Sequence, residues 1–328
     1  MTQFHPLGEA ASSELSSAIA RTNPGHIIAM IGVGGAGKST AIADALSSIY
    51  AHRSHWPPGV TPIARVMAML PDKAYFSSLA FVTSIRSAIM YPDNRWLTFP
   101  ADPESRKWHS DMVDDVVRAS LAIAEQRRMT EASLWAHTAS LARSYHTETL
   151  VVEHATALLK NHSDKTPAQH LQNLMSWGEE AGVRTLLVGV ETLPDLWNSS
   201  VELSRRIHKI WLPSYPLSTQ EDTTKFALVL KSMLSGYDAD TDQLVRKTRH
   251  IHAATAGIIG QVRRLFDDAS RHGLRRITVD HLMSSIQHSD AVSQMWNSVA
   301  VFDRSREPSN VKDLLRASSI GTPRVQKS

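Results

Sequence analysis

Over the first two thirds of the chain, short uninterrupted apolar runs alternate with longer stretches whose apolar positions recur every three or four residues. The run from His26 to Gly32 is apolar from Ile27 to Ile31 and ends in glycines, the pattern of a buried parallel strand. The stretch from Ser39 to Ile49 returns to an apolar residue every third or fourth position and predicts a helix. A second strand is expected from Pro62 to Leu70, followed by a helix from Phe76 to Met90. Residues 91–110 carry Pro92, Pro100 and Pro103 and predict an irregular connection, and 111–144 is helix-prone with mixed polarity. The β-branched run Thr149 to Val152 predicts a core strand with an acid, Glu153, at its carboxyl end. A helix from Thr166 to Ala181 closes on Gly182, a residue suited to a helix C-terminus. Two more strands follow, Arg184 to Val190 and Ile207 to Leu212, the latter stopped by Pro213 and Pro216.

From Ser218 onward no strand pattern remains. Ser218 and Glu221 have capping-box spacing and predict a helix reaching about Ser235. Thr241 to His272 predicts one or two helices broken near Gly257 and Gly260, and Thr278 opens another. Strands alternating with helices predict an α/β class: a three-layer parallel-sheet core with an all-helical lid after it. The expected divisions are an N-terminal extension over 1–25, the α/β core over 26–217, the lid over 218–290 and a C-terminal tail over 291–328 suited to binding a partner.

Composition narrows the functional classes. With no cysteine, the chain has no disulfide, thiolate metal site or cysteine nucleophile. No apolar run approaches the roughly eighteen residues of a membrane helix, and Met1 to Glu14 has neither a basic nor an apolar leader region. A cytoplasmic location with no membrane partner is expected. The formal charge is only +3, but cations are unevenly placed. Arg246, Lys247, Arg249, Arg263, Arg264, Arg271, Arg275 and Arg276 crowd one stretch, with Asp267 and Asp268 among them, and predict either a basic functional face or a solvated one. The sixteen histidines include no pair with convincing metal-ligand spacing.

The strongest chemical signal is Gly32-Val33-Gly34-Gly35-Ala36-Gly37-Lys38-Ser39-Thr40, placed between a predicted strand and a predicted helix. It satisfies Gly-x-x-x-x-Gly-Lys-Ser, the phosphate loop of ATP-binding proteins. Glycines let the backbone approach the phosphates, and the N–H groups of Gly34 to Lys38 together with the helix N-terminus favour anions. Lys38 is expected to neutralise the β and γ oxygens, and the Ser39 hydroxyl to meet Mg2+. Glu153, expected on a strand beside that of the loop, supplies the carboxylate a hard cation prefers. The next position, where a water-polarising glutamate is usual, holds His154. It admits three readings: a neutral imidazole as base, slow hydrolysis, or a strand-end residue with no chemistry. Arg205 and Arg206 precede the fifth strand, the place from which ring-forming ATPases project an arginine into a neighbour's nucleotide; two solvated arginines are the alternative. In the lid, Arg263 at a helix start is the candidate to face the γ-phosphate, since Arg264 points elsewhere on the helix.

Several of these runs together resemble a known family. Thr149 to Leu158, Leu171 to Leu174, Gly182 to Val190, Leu203-Ser204-Arg205-Arg206 with Leu212-Pro213, and the lid segments Thr255 to Leu265 and Ile277 to Leu282 resemble the AAA+ regulators of DNA transposition of the TniB/TnsC type, and more distantly phage Mu B protein. The resemblance covers roughly residues 25–285. It implies an AAA+ ATPase that assembles as a homo-oligomeric ring or filament on double-stranded DNA and links a target-selection protein to a transposase. In such a ring Lys73 and Arg86 are the basic residues expected to line the DNA channel. The chain departs from the pattern at His154, and at Val190, where a polar sensor is common and Glu191 or Thr192 would have to substitute. The alternatives are an AAA+ ATPase of another kind (a helicase loader, an origin-recognition-like initiator or a secretion ATPase), or a STAND-type signalling switch without a DNA role.

Overall fold

A computed structural model describes residues 6–50, 60–68, 76–92, 129–160, 166–272, 276–286 and 289–306. Among them, five parallel strands form one sheet in the order β2-β3-β4-β1-β5. These are β1 (Ile27–Ile31), β2 (Ile63–Met67), β3 (Thr149–Glu153), β4 (Arg184–Gly189) and β5 (Ile207–Trp211). Every residue of β1 and β3 is buried, and β4 is buried beyond its first residue. Strands covered on both faces require that continuous apolarity. The helices α2 (Lys38–Tyr50), α3 (Ser78–Met90), α4 (Glu131–Ser144) and α5 (Pro167–Ala181) belong to this α/β unit, and one apolar cluster runs through its strands and helices.

The α5 helix shows why sequence dictates its limits. The Thr166 hydroxyl accepts from the Gln169 backbone, the Gln169 side chain accepts from Thr166 N–H at 2.7 Å, and Pro167 fills the first turn. At its far end Gly182 takes the left-handed conformation expected of it, at φ 77°. Most of the expected connection at 91–110 and the first part of the helix-prone stretch lie outside the described residues, and the described remainder of that stretch is α4.

The short helix α6 (Val201–Arg205) precedes β5, and among the described residues after that strand come, apart from an isolated bridge between Ala239 and Ile277, the helices α7 (Gln220–Leu234), α8 (Thr241–Val245), α9 (Thr248–Thr255), α10 (Ile259–His272) and α11 (Val279–Ser284). Phe226, Leu230, Leu244, Val262, Phe266 and Leu282 give these lid helices a second apolar cluster. The capping box of α7 is not Ser218 with Glu221 but Thr219 with Asp222, whose carboxylate accepts from Thr219 N–H at 2.9 Å. Two overlapping boxes are spelled there, and the chosen one releases Glu221 to pair with Lys225 at 2.6 Å. Thr241 to His272 forms three helices, the last two parted at Ala256 to Ile258.

Besides the five-residue α6, two long helices were not read from the sequence. In α1 (Pro6–Arg21), Leu15 and Ile19 join the α/β core, and Ser12 donates to Asp44 of α2 at 2.6 Å. A long helix, α12 (Ser289–Arg306), occupies the start of the expected tail. Its Phe302 is buried against Trp211 of β5 with ring centroids 5.5 Å apart, while Trp296 donates to the Ala253 carbonyl of α9 at 2.9 Å.

Candidate nucleotide site

The phosphate-loop segment leaves β1 at the carboxyl edge of the sheet, between β4 and β5. Gly32 N–H donates to Gly189 O at 3.3 Å on one side, and Leu212 N–H to Ile31 O at 2.8 Å on the other. From β1 the chain crosses to the far edge at β2 and later returns to the opposite side of β1 with β5. Open α/β sheets bind ligands in the crevice outside such a switch of direction. The loop curls through a turn closed by Ala36 N–H onto Val33 O at 3.1 Å, and α2 starts at Lys38. Gly34, Gly35, Ser39 and Thr40 are exposed around the mouth, while Ala36 is buried beneath it.

Lys38 arches over the loop, its Nζ donating to Gly32 O at 2.6 Å and Val33 O at 2.9 Å. Burial lowers its pKa from 10.5 to about 8, with the nearby Glu191 carboxylate pulling in the opposite direction. The ammonium is thus held over the start of the loop by two backbone carbonyls, with the Glu191 charge nearby.

Glu153 stands at the end of β3, buried, as expected of the acid, but β3 is not beside β1. The intervening strand is β4, which pairs with both. Glu153 Oε1 accepts from Arg65 Nη2 of β2 at 2.7 Å. Strand register explains the pair: Met67 lies opposite Glu153, so Arg65 is its diagonal neighbour, within a long side chain's reach. His154 is exposed and left-handed at φ 53°, with no side-chain cap, at the head of a short 3-10 turn over Ala155–Leu159. A non-glycine residue there carries a cost of order 1–3 kcal/mol. Glu191 sits two residues past the end of β4, half-buried, on the Lys38 side of the crevice.

The lid reaches the loop through backbone. Gly260 N–H donates to Gly35 O at 2.8 Å, and a Cβ on Gly260 would fall 2.7 Å from that oxygen. Only glycine allows this approach. Arg263, one turn further along α10, is exposed and lies beside the Tyr237 hydroxyl, which itself donates to Asp267 at 2.5 Å. Arg205 and Arg206 lie at the amino end of β5, the end of the sheet away from their own phosphate loop. Arg206 pairs with Glu179 of α5 at 2.7 Å, and Arg205 is exposed. Lys73 lies outside the described residues. Arg86 on α3 is half-buried, its Nε turned away from solvent and its charge felt by the Tyr91 hydroxyl, a poorer place for a channel contact than the exposed one expected. Sequence reasoning missed Arg65 and the Gly35–Gly260 contact; both depend on which segments the fold brings side by side.

No family model matches the chain, and no curated protein sequence matches it either. Solved structures do. The Walker-type ATPase paby2304 of Pyrococcus abyssi superposes with a TM-score of 0.54 at 12% identity, covering 95% of this chain and 76% of that one. The ORC2 protein of Aeropyrum pernix, in ADPNP-ADP complexes, gives 0.50 at 11% identity over 96% of this chain and 85% of its own. Cdc6p of Pyrobaculum aerophilum gives 0.51 at 13% identity, covering 86% and 67%. The chain has the AAA+ ATPase fold. Among the described residues no helix is long and apolar enough to cross a membrane.

Proposed function

We propose that this protein is an ATP-dependent, DNA-binding AAA+ ATPase that assembles on double-stranded DNA and regulates transposition, linking target selection to recruitment of a transposase. The observation that carries the nucleotide reading is the phosphate loop at the sheet's switch point, with Lys38 held over it and the lid's Gly260 seated on Gly35. The β and γ phosphates would displace the Gly32 and Val33 carbonyls as partners of Lys38, exchanging neutral acceptors for charged ones. Ser39 and Glu153 are the residues that would hold magnesium, and a hydroxyl with a carboxylate is a fitting oxygen donor set for that ion. Magnesium, when bound, would neutralise charge developing on the phosphate oxygens. Of the two candidate fingers, Arg205 is the better suited to act on a neighbouring protomer, because Arg206 is paired within its own chain.

The DNA and transposition readings rest on the resemblance of the Leu203 to Arg206, Leu212-Pro213 and Thr255 to Leu265 segments, with the cations of the lid in support. An initiator-like role is the second reading, favoured by the likeness in fold to the ORC2 protein and to Cdc6p. Binding of duplex DNA by the parent and by Lys38→Ala, with and without ATP and at several salt concentrations, tests the shared part. ATP-dependent binding that weakens with salt and is lost in the variant is expected. DNA binding indifferent to ATP and to Lys38 would refute it. Stimulation of turnover by a cognate transposase favours the first reading, and its absence alongside loading of a replicative helicase favours the second.

A further inference from the structure

We propose that Glu191 is the general base for hydrolysis of the terminal phosphate, the role for which the position after Glu153 is the usual place. This rests on the ATP-hydrolysing reading above.

Strand register brings Glu191 to the loop. Gly189, the last residue of β4, lies opposite Ile31, the last residue of β1, and its carbonyl accepts from Gly32 N–H. Whatever follows Gly189 therefore rises beside the residues that open the loop. The chain then reverses at once: Leu193 N–H donates to Val190 O at 2.9 Å, and Leu193 packs down where a Cβ on Gly189 would be, 3.0 Å away. Glu191 is the first central residue of that turn, so it stays above the end of β4 instead of being carried off by the chain. Gly32, whose N–H is bonded to this strand, and Val33 hold the Lys38 ammonium through their carbonyls. The Glu191 charge acts on that ammonium directly, opposing the effect of burial. A carboxylate within electrostatic reach of the lysine that serves the β and γ phosphates is near the place where the attacking water must stand. Its half-buried position keeps it open to that water.

The two residues at the end of β3 are less suited to the role. Glu153 has Oε1 bonded to Arg65 and is the acid expected to serve magnesium. His154 is exposed, held in a left-handed conformation that belongs to the turn after β3.

In the proposed step the Glu191 carboxylate takes a proton from water as the water oxygen bonds to the γ-phosphorus. The bond from that phosphorus to the β–γ bridging oxygen breaks, and its electron pair leaves with ADP. The proton passes from Glu191 to the released phosphate, so ATP and water become ADP and inorganic phosphate and the carboxylate is restored.

The test uses the full chain with ATP and magnesium, comparing the parent with Glu191→Gln and His154→Ala. ATP affinity is measured by calorimetry, and hydrolysis in single-turnover mode. Glu191→Gln is expected to bind ATP at least as well as the parent while hydrolysing it about 10²–10⁴-fold more slowly. His154→Ala should lose less than Glu191→Gln. The proposal is overturned if Glu191→Gln keeps turnover within about tenfold of the parent. It is equally overturned if His154→Ala is the more damaged variant, or if the parent binds ATP without hydrolysing it. A parent that binds no ATP refutes the nucleotide reading itself, which calorimetry detects before any rate is compared.

Discussion

Arg65 Nη2 lies 2.7 Å from Glu153 Oε1, an ion pair between adjacent strands in which the carboxylate is almost entirely buried. The acid expected to organise magnesium is therefore already partnered, and the ion would have to compete with a guanidinium for it. Arg65→Met leaves Glu153 buried without that partner, and the folded state should lose about 1–3 kcal/mol. Magnesium with ATP should then raise the melting temperature of the variant by more than it raises the parent's. Equal increments would mean that the arginine and the metal do not share the carboxylate.

Lys38 should make nucleotide affinity depend on pH. Its folded pKa of about 8 is below the ordinary 10.5, so from about 8 to 10.5 the unfolded chain binds more protons. The burial penalty on the ammonium is full below pH 8 and is relieved as pH rises through that window. Bound phosphates favour the charged form, so ATP binding should take up a proton there and weaken as pH rises from about 8, by up to about tenfold per unit. Calorimetry at pH 8.5 in buffers of different ionisation enthalpy measures the uptake. Lys38→Ala should abolish both the binding and its pH dependence.

Gly260→Ala probes the seam between lid and loop. The added methyl falls 2.7 Å from Gly35 O and 3.0 Å from Gly35 Cα, both backbone atoms of the phosphate loop. The start of α10 has to retreat, and ATP affinity should drop by about tenfold, or about 1.4 kcal/mol. Unchanged affinity in a folded variant would show that the lid contact is dispensable for binding.

The two arginines before β5 should separate cleanly. Arg206→Ala removes a partly exposed pair with Glu179 and should cost no more than about 1 kcal/mol of stability. Arg205→Ala should leave stability alone and lower turnover only when protomers assemble. Mixing Arg205→Ala with Lys38→Ala chains gives the readout, since an arginine acting in trans restores activity in some mixed assemblies; additive loss in every mixture would remove Arg205 from the reaction.

Much of the fold was legible because its central strands are covered on both sides. The run that became β1 is apolar throughout and those of β3 and β4 are apolar at their centres, as a parallel sheet between helices requires. The phosphate loop was legible for a similar reason, since its glycines and lysine are adjacent in the chain. Strand order was not: Glu153 was expected beside the strand of the loop, and β4 lies between them. Arg65 could not be singled out because its partner is 88 positions away and the pairing depends on register. The α1 helix escaped because Ala11, Ser12 and Ala18 supply much of its buried face, and small residues make a faint apolar stripe. The α12 helix escaped because Val299 and Phe302 alone are its fully buried side chains.

Phe302→Ala should test that helix. The ring is fully buried against Trp211, and its loss should cost about 3–5 kcal/mol, read as the drop in unfolding free energy by denaturant titration. A loss below about 1 kcal/mol would mean that α12 adds little to the fold.

The same helix ties the lid to the sheet. Phe302 grips Trp211 at the carboxyl end of β5, and Trp296 grips the carbonyl of Ala253 in the lid. Arg205 and Arg206 stand at the other end of β5, five residues back along a stiff extended segment. A lid that tilts over the loop must drag this strut, slide it along Trp211, or break the bond to Ala253. If the strut holds, the strand is pulled lengthwise, and a tilt of the lid would be felt at Arg205 at the far end of the sheet.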